Sequence, residues 1–144
     1  MDNRLKAFER LLIIMDELRE QCPWDRKQTN KSLRHLTIEE TYELSDALLK
    51  GDNEEIKKEL GDLFLHLVFY SKIGDEKGAF DVSDVLNSIC EKLISRHPHI
   101  YGDIEVKDEE EVKQNWEQLK LKEGNKSVLA GVPNSMPSII KASR

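Results

Sequence analysis

Two short acidic motifs are the residues whose types and spacing could do chemistry. The first is Glu39-Glu40-x-x-Glu43 and the second is Glu59-x-x-Asp62. Acids spaced three apart share one side of a helix. Leu33, Leu36, Leu44, Ala47 and Leu48 define an apolar stripe on the first of the two helices. At about 100° per residue, Glu40 projects into the middle of that stripe and Glu43 lies at its edge. On the second helix Glu59, Asp62 and His66 share a line that continues into Phe69 and Ile73. Acids on core-facing lines are costly unless paired or metal-bound. The register is equally informative. Glu43 stands 8 residues before Gly51 and Glu59 stands 8 after it, while Glu40 and Asp62 stand 11 before and 11 after. In an antiparallel helical hairpin turning at Gly51, both pairs meet at matching heights. Four convergent carboxylates repel one another unless something positive sits among them. Two solutions are open: a hard cation such as Mg²⁺ or Mn²⁺, which oxygen-only ligation selects, or a buried network neutralised by Arg or Lys.

The elements that must position these acids are helices. Leu5, Phe8, Leu11, Leu12, Met15 and Leu18 follow the helical period, and that helix should stop before Cys22-Pro23, because a residue preceding proline avoids the α region. Trp24 and Asp25 open a polar connector to about Lys31. Ser32 is a plausible N-cap for the helix that carries the first motif, ending near Lys50. The spacing predicts a third helix from about Glu54 to Ile73, then a polar loop from Gly74 to Gly78. Asp81 or Ser83 can cap a fourth helix, which His97-Pro98-His99 ends. A fifth runs from Asp108 to about Glu123, acidic at its start and basic near its end, as the helix dipole favours. No stretch alternates as a strand. The expectation is an all-α helical bundle in which one antiparallel pair carries the carboxylate site. Residues 1–123 form the folded domain and 124–144 a loosely ordered tail.

Composition sets limits on function. The chain has 144 residues with 22 basic and 28 acidic side chains, a net charge of −6. That balance argues against binding duplex nucleic acid, which needs a dominant basic face, but leaves room for a small phosphate ligand held by a metal. No apolar run reaches the ~18 residues of a membrane span. The N-terminus opens straight into an amphipathic pattern without a signal-peptide core. Two cysteines, Cys22 and Cys90, make no disulfide framework. A cytoplasmic protein is the simplest expectation. There is no phosphate-binding G-x-x-x-x-G-K-[ST] loop and no glycine-rich dinucleotide turn.

Beyond the acids, Cys22-Pro23-Trp24-Asp25, Leu36-Thr37-Ile38-Glu39-Glu40-Thr41-Tyr42-Glu43, Glu59-Leu60-Gly61-Asp62-Leu63, Arg96-His97-Pro98-His99-Ile100-Tyr101-Gly102-Asp103 and Asn115-Trp116-Glu117 stand in this order. Together they resemble the MazG-type nucleoside triphosphate pyrophosphohydrolases, over essentially residues 5 to 140. The resemblance implies hydrolysis of a nucleoside triphosphate to monophosphate and pyrophosphate by attack of water at the α-phosphorus. It also implies Mg²⁺, with Mn²⁺ as the other option, on Glu40, Glu43, Glu59 and Asp62, and Glu39 as a further ligand or the group that orients the water. The chemistry suits the residues, since a cation neutralises phosphate charge and polarises phosphorus and positioning supplies most of the rest. Members often carry a second, related helical domain where this chain ends at Arg144. It is therefore expected to be either a single-domain form or a fragment.

Other residues have both a functional and a structural reading. Arg96 offers bidentate donors for a phosphate, with Lys92 one turn before it, or it belongs to a solvated turn with His97 and His99. Trp24 can stack on a base or anchor the connector. Asn115, Lys120 and Lys122 are candidate substrate contacts, whereas Trp116, on a line with Val112 and Leu119, reads as core. His66 is either a group supporting the acid site or a hydrogen-bonded core histidine. Two other functional classes compete. A carboxylate-bridged iron protein wants Glu-x-x-His on two helices, and the position after Glu59 is Asp62. A non-catalytic helical interaction module leaves core-facing acids at matched heights unexplained. The apolar line of the third helix continues through Phe69 and Ile73 and needs a cover beyond this short chain, and the resemblance implies a homodimer or a dimer of dimers.

Overall fold

A computed structural model describes residues 1–102 and 107–127, and it is helical with no strand among the described residues. Contacts divide the chain into one unit of Met1–Asn87 and a second beginning at Ser88. The first unit is built on α1 (Asn3–Gln21), a one-turn α2 (Pro23–Arg26), α3 (Asn30–Lys50) and α4 (Asn53–Glu76). Helix α5 (Val82–Arg96) begins in the first unit and ends in the second, which also holds α6 (Pro98–Tyr101) and α7 (Glu109–Ser127).

The helix ends explain the hairpin. The Thr29 side chain accepts from the backbone N–H of Ser32, and the Ser32 hydroxyl accepts from the backbone N–H of Thr29. This reciprocal box satisfies two otherwise orphaned donors. Thr29 is therefore the cap, and the expected cap Ser32 is its partner three residues inside the helix. At the other end Gly51 takes φ 71°, a left-handed conformation that glycine adopts without penalty. Asp52 then accepts from the N–H groups of Glu54 and Glu55 and starts α4. Two residues thus reverse the chain, and α3 and α4 pack along their lengths.

Helix α4 continues through Gly74 to Glu76, beyond the end expected at Ile73. Gly74 is buried, and a Cβ there would stand 2.6 Å from the Phe80 ring. The glycine is a packing site for an aromatic ring inside the helix, and the turn falls at Gly78, with φ 68°. Asp81 accepts from the backbone N–H of Asp84, and Asp84 from that of Asp81, which starts α5. In the second unit α7 runs to Ser127, past the end expected at Glu123. Of the tail expected over 124–144, residues 128–144 lie outside the described residues.

Met15 of α1, Leu33 of α3 and Val68, Phe69 and Ile73 of α4 are buried together, with Phe8, Leu11, Leu12, Leu36, Leu65 and Tyr70 packed against them. The polar connector contains the one-turn α2, and Arg19 holds it. Its Nη1 donates to the carbonyls of Asp25, Arg26 and Gln28, and its Nε and Nη2 grip both carboxylate oxygens of Glu76 at 2.9 and 2.7 Å. The guanidinium also lies over the Phe69 ring. One planar cation therefore joins α1, α2 and α4. Replacing it leaves three carbonyls without their donor. Arg19→Met should lower the unfolding free energy by about 2–3 kcal/mol in urea titrations; a change below ~0.5 kcal/mol, typical of an unremarkable surface site, would contradict this role.

Candidate metal centre

The α3–α4 hairpin gathers the acids. One carboxylate oxygen from each of Glu40, Glu43 and Glu59 lies within 4.8 Å of the others. Glu40 and Glu59 are half-buried and Glu43 is exposed. Asp62, also half-buried, stands near enough that its charge acts on Glu40. Three of the four acids expected at matching heights about Gly51 thus meet, and Asp62 lies near them but outside that group. Glu39, one residue from Glu40 and so about 100° round the helix, is exposed and outside the cluster.

The electrostatics are those of an uncompensated acid cluster. Glu40 is pushed up to about 7, first by burial, then by a hydrogen bond to Glu59, and then by the charges of Asp62, Glu43 and Glu59. With both carboxylates ionised neither can donate, and the Oε2 atoms of Glu40 and Glu59 are buried without a hydrogen-bond partner. A proton on Glu40 supplies a donor that Glu59 can accept. Among the described residues, no Arg or Lys forms an ion pair with any of the four acids. Of the two solutions open from sequence, the network neutralised by Arg or Lys is not seen among the described residues. Orphaned, half-buried carboxylate oxygens that converge with no basic partner are the donor set a hard divalent cation takes.

Next to the acids, His66 is buried, and its Nδ1 lies 2.8 Å from the Thr37 hydroxyl. Burial pushes its pKa down against the opposing charge of Asp62. The ring is thus a buried, hydrogen-bonded histidine standing beside the acids. Its partner Thr37 was not singled out in sequence; the available signal was its place one turn before Glu40.

The other candidates fall elsewhere. Trp24, on α2, is 51% exposed, and its carbonyl accepts from the Gln28 side chain. Lys92, Arg96, Asn115 and Lys120 all belong to the second unit. There Arg96 Nη2 pairs with Glu123 at 2.6 Å, while its Nε is buried without a partner. Trp116 is half-buried with its Nε1 likewise unpartnered, and the His97 ring meets it edge-on. Asn115 is half-buried, and Lys57 is exposed and paired with Glu54.

An all-α hairpin with a carboxylate cluster between its helices defines a class of candidate cation site, and comparison with known proteins gives the family. Residues 28–101 match the MazG nucleotide pyrophosphohydrolase domain, and the chain belongs to that family. It is similar to the nucleoside triphosphate pyrophosphohydrolase of Escherichia coli K12, 38% identical over 147 residues, covering 97% of this chain and 56% of that protein. It is also similar to the nucleoside triphosphate pyrophosphohydrolase/pyrophosphatase MazG of Thermotoga maritima, 46% identical over 121 residues, covering 83% of this chain and 46% of that protein. A crystal structure of a mazG-related protein from Thermotoga maritima superposes with a TM-score of 0.68 at 25% identity, covering 78% of this chain and 98% of that one. The chain spans 29% to 56% of the length of the curated relatives it matches. No helix among the described residues is long and apolar enough to cross a membrane.

The raised Glu40 has a thermodynamic consequence. Its folded pKa of about 7 exceeds the ordinary 4.5, so its proton stabilises the fold fully below about 4.5, and that contribution is lost as pH rises through about 7. In EDTA, Glu40→Gln should melt close to wild type at pH 5 and several degrees above it at pH 8. At pH 8, Mg²⁺ should raise the wild-type melting temperature and move the variant far less. Equal melting of both proteins at pH 8 in EDTA would show that the acids are not in repulsive contact.

Proposed function

We propose that the chain hydrolyses nucleoside triphosphates to nucleoside monophosphate and pyrophosphate, using a divalent cation, Mg²⁺ or Mn²⁺, held by Glu40, Glu43, Glu59 and Asp62. The observation that carries this reading is the convergence of carboxylate oxygens from Glu40, Glu43 and Glu59 within 4.8 Å, with no basic side chain among the described residues paired to them. Family membership supplies the reaction class. When bound, the cation would offset the charge of the phosphates and make the α-phosphorus more electrophilic. In the reaction, the oxygen of water bonds to the α-phosphorus, the bridging oxygen between the α- and β-phosphorus atoms leaves with pyrophosphate, and the two water protons pass to the products or the medium.

The protein's part is to position and to screen charge. Glu39, exposed beside the cluster, is proposed to orient the attacking water or to add a ligand. The unpartnered Nε of Arg96 is a donor suited to a phosphate oxygen, and Lys92, Asn115 and Lys120 are proposed as further substrate contacts. The exposed Trp24 ring is proposed to stack on the base. We place the reaction in the cytoplasm, where such substrates are found. Leu60, Phe64 and Leu67 on α4 are 42–52% exposed along one line, and we propose a homodimer, or a dimer of dimers, that covers them. Residues 1–123 are proposed as the catalytic domain.

The decisive assay separates pyrophosphate from phosphate across a panel of nucleoside triphosphates. Pyrophosphate release should require Mg²⁺ or Mn²⁺ and stop with EDTA. Glu43→Gln and Asp62→Asn should each reduce turnover by about 100-fold or more, as expected for removal of a cation ligand, while helical circular dichroism is retained. Absence of turnover with every nucleotide and both metals would overturn the reading. Light scattering at tens of micromolar should give a dimer or larger, and Phe64→Glu should shift the mass toward the monomer; a monomeric wild type would overturn the assembly.

A further inference from the structure

The carboxylate layers occupy the middle of a hairpin, and the hairpin is tied at two places. One tie is covalent: the turn at Gly51 joins α3 to α4. The other is polar and lies on the far side of the acids. Thr37 stands 14 residues before Gly51 and His66 stands 15 after it, one step beyond the Glu40–Asp62 layer. The Thr37 hydroxyl lies 2.8 Å from Nδ1 of His66, contacts the Tyr70 hydroxyl, and lies 3.2 Å from the Leu33 carbonyl.

The donor arithmetic of these contacts closes in one way that satisfies every contact. A threonine hydroxyl has one proton and two lone pairs. The Leu33 carbonyl can only accept, so it takes the Thr37 proton. Both Thr37 lone pairs then accept, one from Nδ1–H of His66 and one from the Tyr70 hydroxyl. A single α3 oxygen thereby receives two hydrogen bonds from α4, one turn from Glu40. His66 is buried, and Tyr70 packs against the buried cluster of Met15, Leu33, Val68, Phe69 and Ile73.

Without a cation, the acids between the two ties repel and push the helices apart. The turn resists that push at one end only. We infer that Thr37, His66 and Tyr70 act as positioning residues, an interhelical clasp that holds α3 against α4 at the spacing the acids need to share one divalent cation. The inference rests on the metal-binding reading proposed above. It assigns to three uncharged side chains a share of the cation affinity, although none of them offers a ligand to it.

The test measures Mn²⁺ affinity of the full chain by titration calorimetry, beside stability in urea. Thr37→Val keeps the shape and removes the shared oxygen, and should weaken Mn²⁺ binding by about tenfold, the scale seen when groups supporting metal ligands are removed. Thr37→Ser restores the hydroxyl and should stay within about threefold of wild type. Ile73→Val, a core truncation beyond the clasp, should lower stability by about 1 kcal/mol and leave Mn²⁺ affinity unchanged. That contrast separates positioning from general loosening. If Thr37→Val does not fold by circular dichroism, Tyr70→Phe carries the same expectation, as it removes one of the two hydrogen bonds. Wild-type Mn²⁺ binding with undiminished binding by the folded clasp variants would overturn the clasp alone. An equal loss in Ile73→Val would overturn it as well. A wild-type chain that binds no Mn²⁺ would overturn the metal reading, and the clasp with it.

Discussion

Repulsion among the carboxylates of one helical hairpin is the constraint around which the first unit is organised. Glu40, Glu43 and Glu59 present oxygens within 4.8 Å of one another, and Asp62 adds its charge to the same region. A hairpin that did nothing else would open at its free end. What opposes this is distributed along the pair. The left-handed Gly51 and the Asp52 cap make the turn short. The box formed by Thr29 and Ser32 secures the far end of α3. Leu33, Phe69 and Ile73 bury apolar surface against Met15 of α1, and hydrophobic burial is the largest favourable contribution available to a fold of this kind. The strain of the acids and the packing of the core therefore sit side by side on the same two helices.

Arg19 extends that scaffold to the connector. Its guanidinium makes five hydrogen bonds, to three backbone carbonyls and one carboxylate, at 2.7 to 3.0 Å. The carbonyls of Asp25, Arg26 and Gln28 lie where α2 gives way to α3, so their partner sets how the chain enters the helix that bears the first acidic motif. Burial opposes the charge on Arg19, but the hydrogen bond and charge of Glu76 outweigh it and raise its pKa. The contrast with the acid cluster is instructive. Here a cation finds its carboxylate within the chain, whereas Glu40, Glu43, Glu59 and Asp62 have no basic partner among the described residues.

Much of this was legible in the sequence because it rests on periods and distances. Helical spacing placed Glu40 within an apolar stripe, and equal counts about Gly51 paired it with Asp62 and Glu43 with Glu59. Both follow from the geometry of an antiparallel hairpin. The details that escaped depend on tertiary partners. Thr29 and Ser32 are both good caps, and only the reciprocal hydrogen bonds show which residue lies outside the helix. Gly74 looked like the start of a loop, but its lack of a side chain serves the Phe80 ring, and the helix continues past it. Proline at the start of α2 was read as the end of one helix, yet it also suits the first turn of another. Thr37 is a common residue in a helix, and nothing in a linear reading shows that its oxygen faces His66 and Tyr70.

The burial of the acids gives the site a direction. Glu40 and Glu59 are half-buried, each with an oxygen shut off from water, and Glu43 is exposed. Charge is harder to maintain on the inner side, and burial is the largest cause of the raised pKa of Glu40. The outer side is exposed at Glu43, and a hard cation that gives up water reluctantly would suit such an arrangement. A triphosphate carries its own negative oxygens and would have to approach from the open flank, past Glu43. The net charge of −6 then has a different meaning from that of a uniformly acidic surface. Part of it is concentrated where a cation would reverse the local sign, so the same acids that repel a phosphate in the free chain would recruit it once the cation is in place.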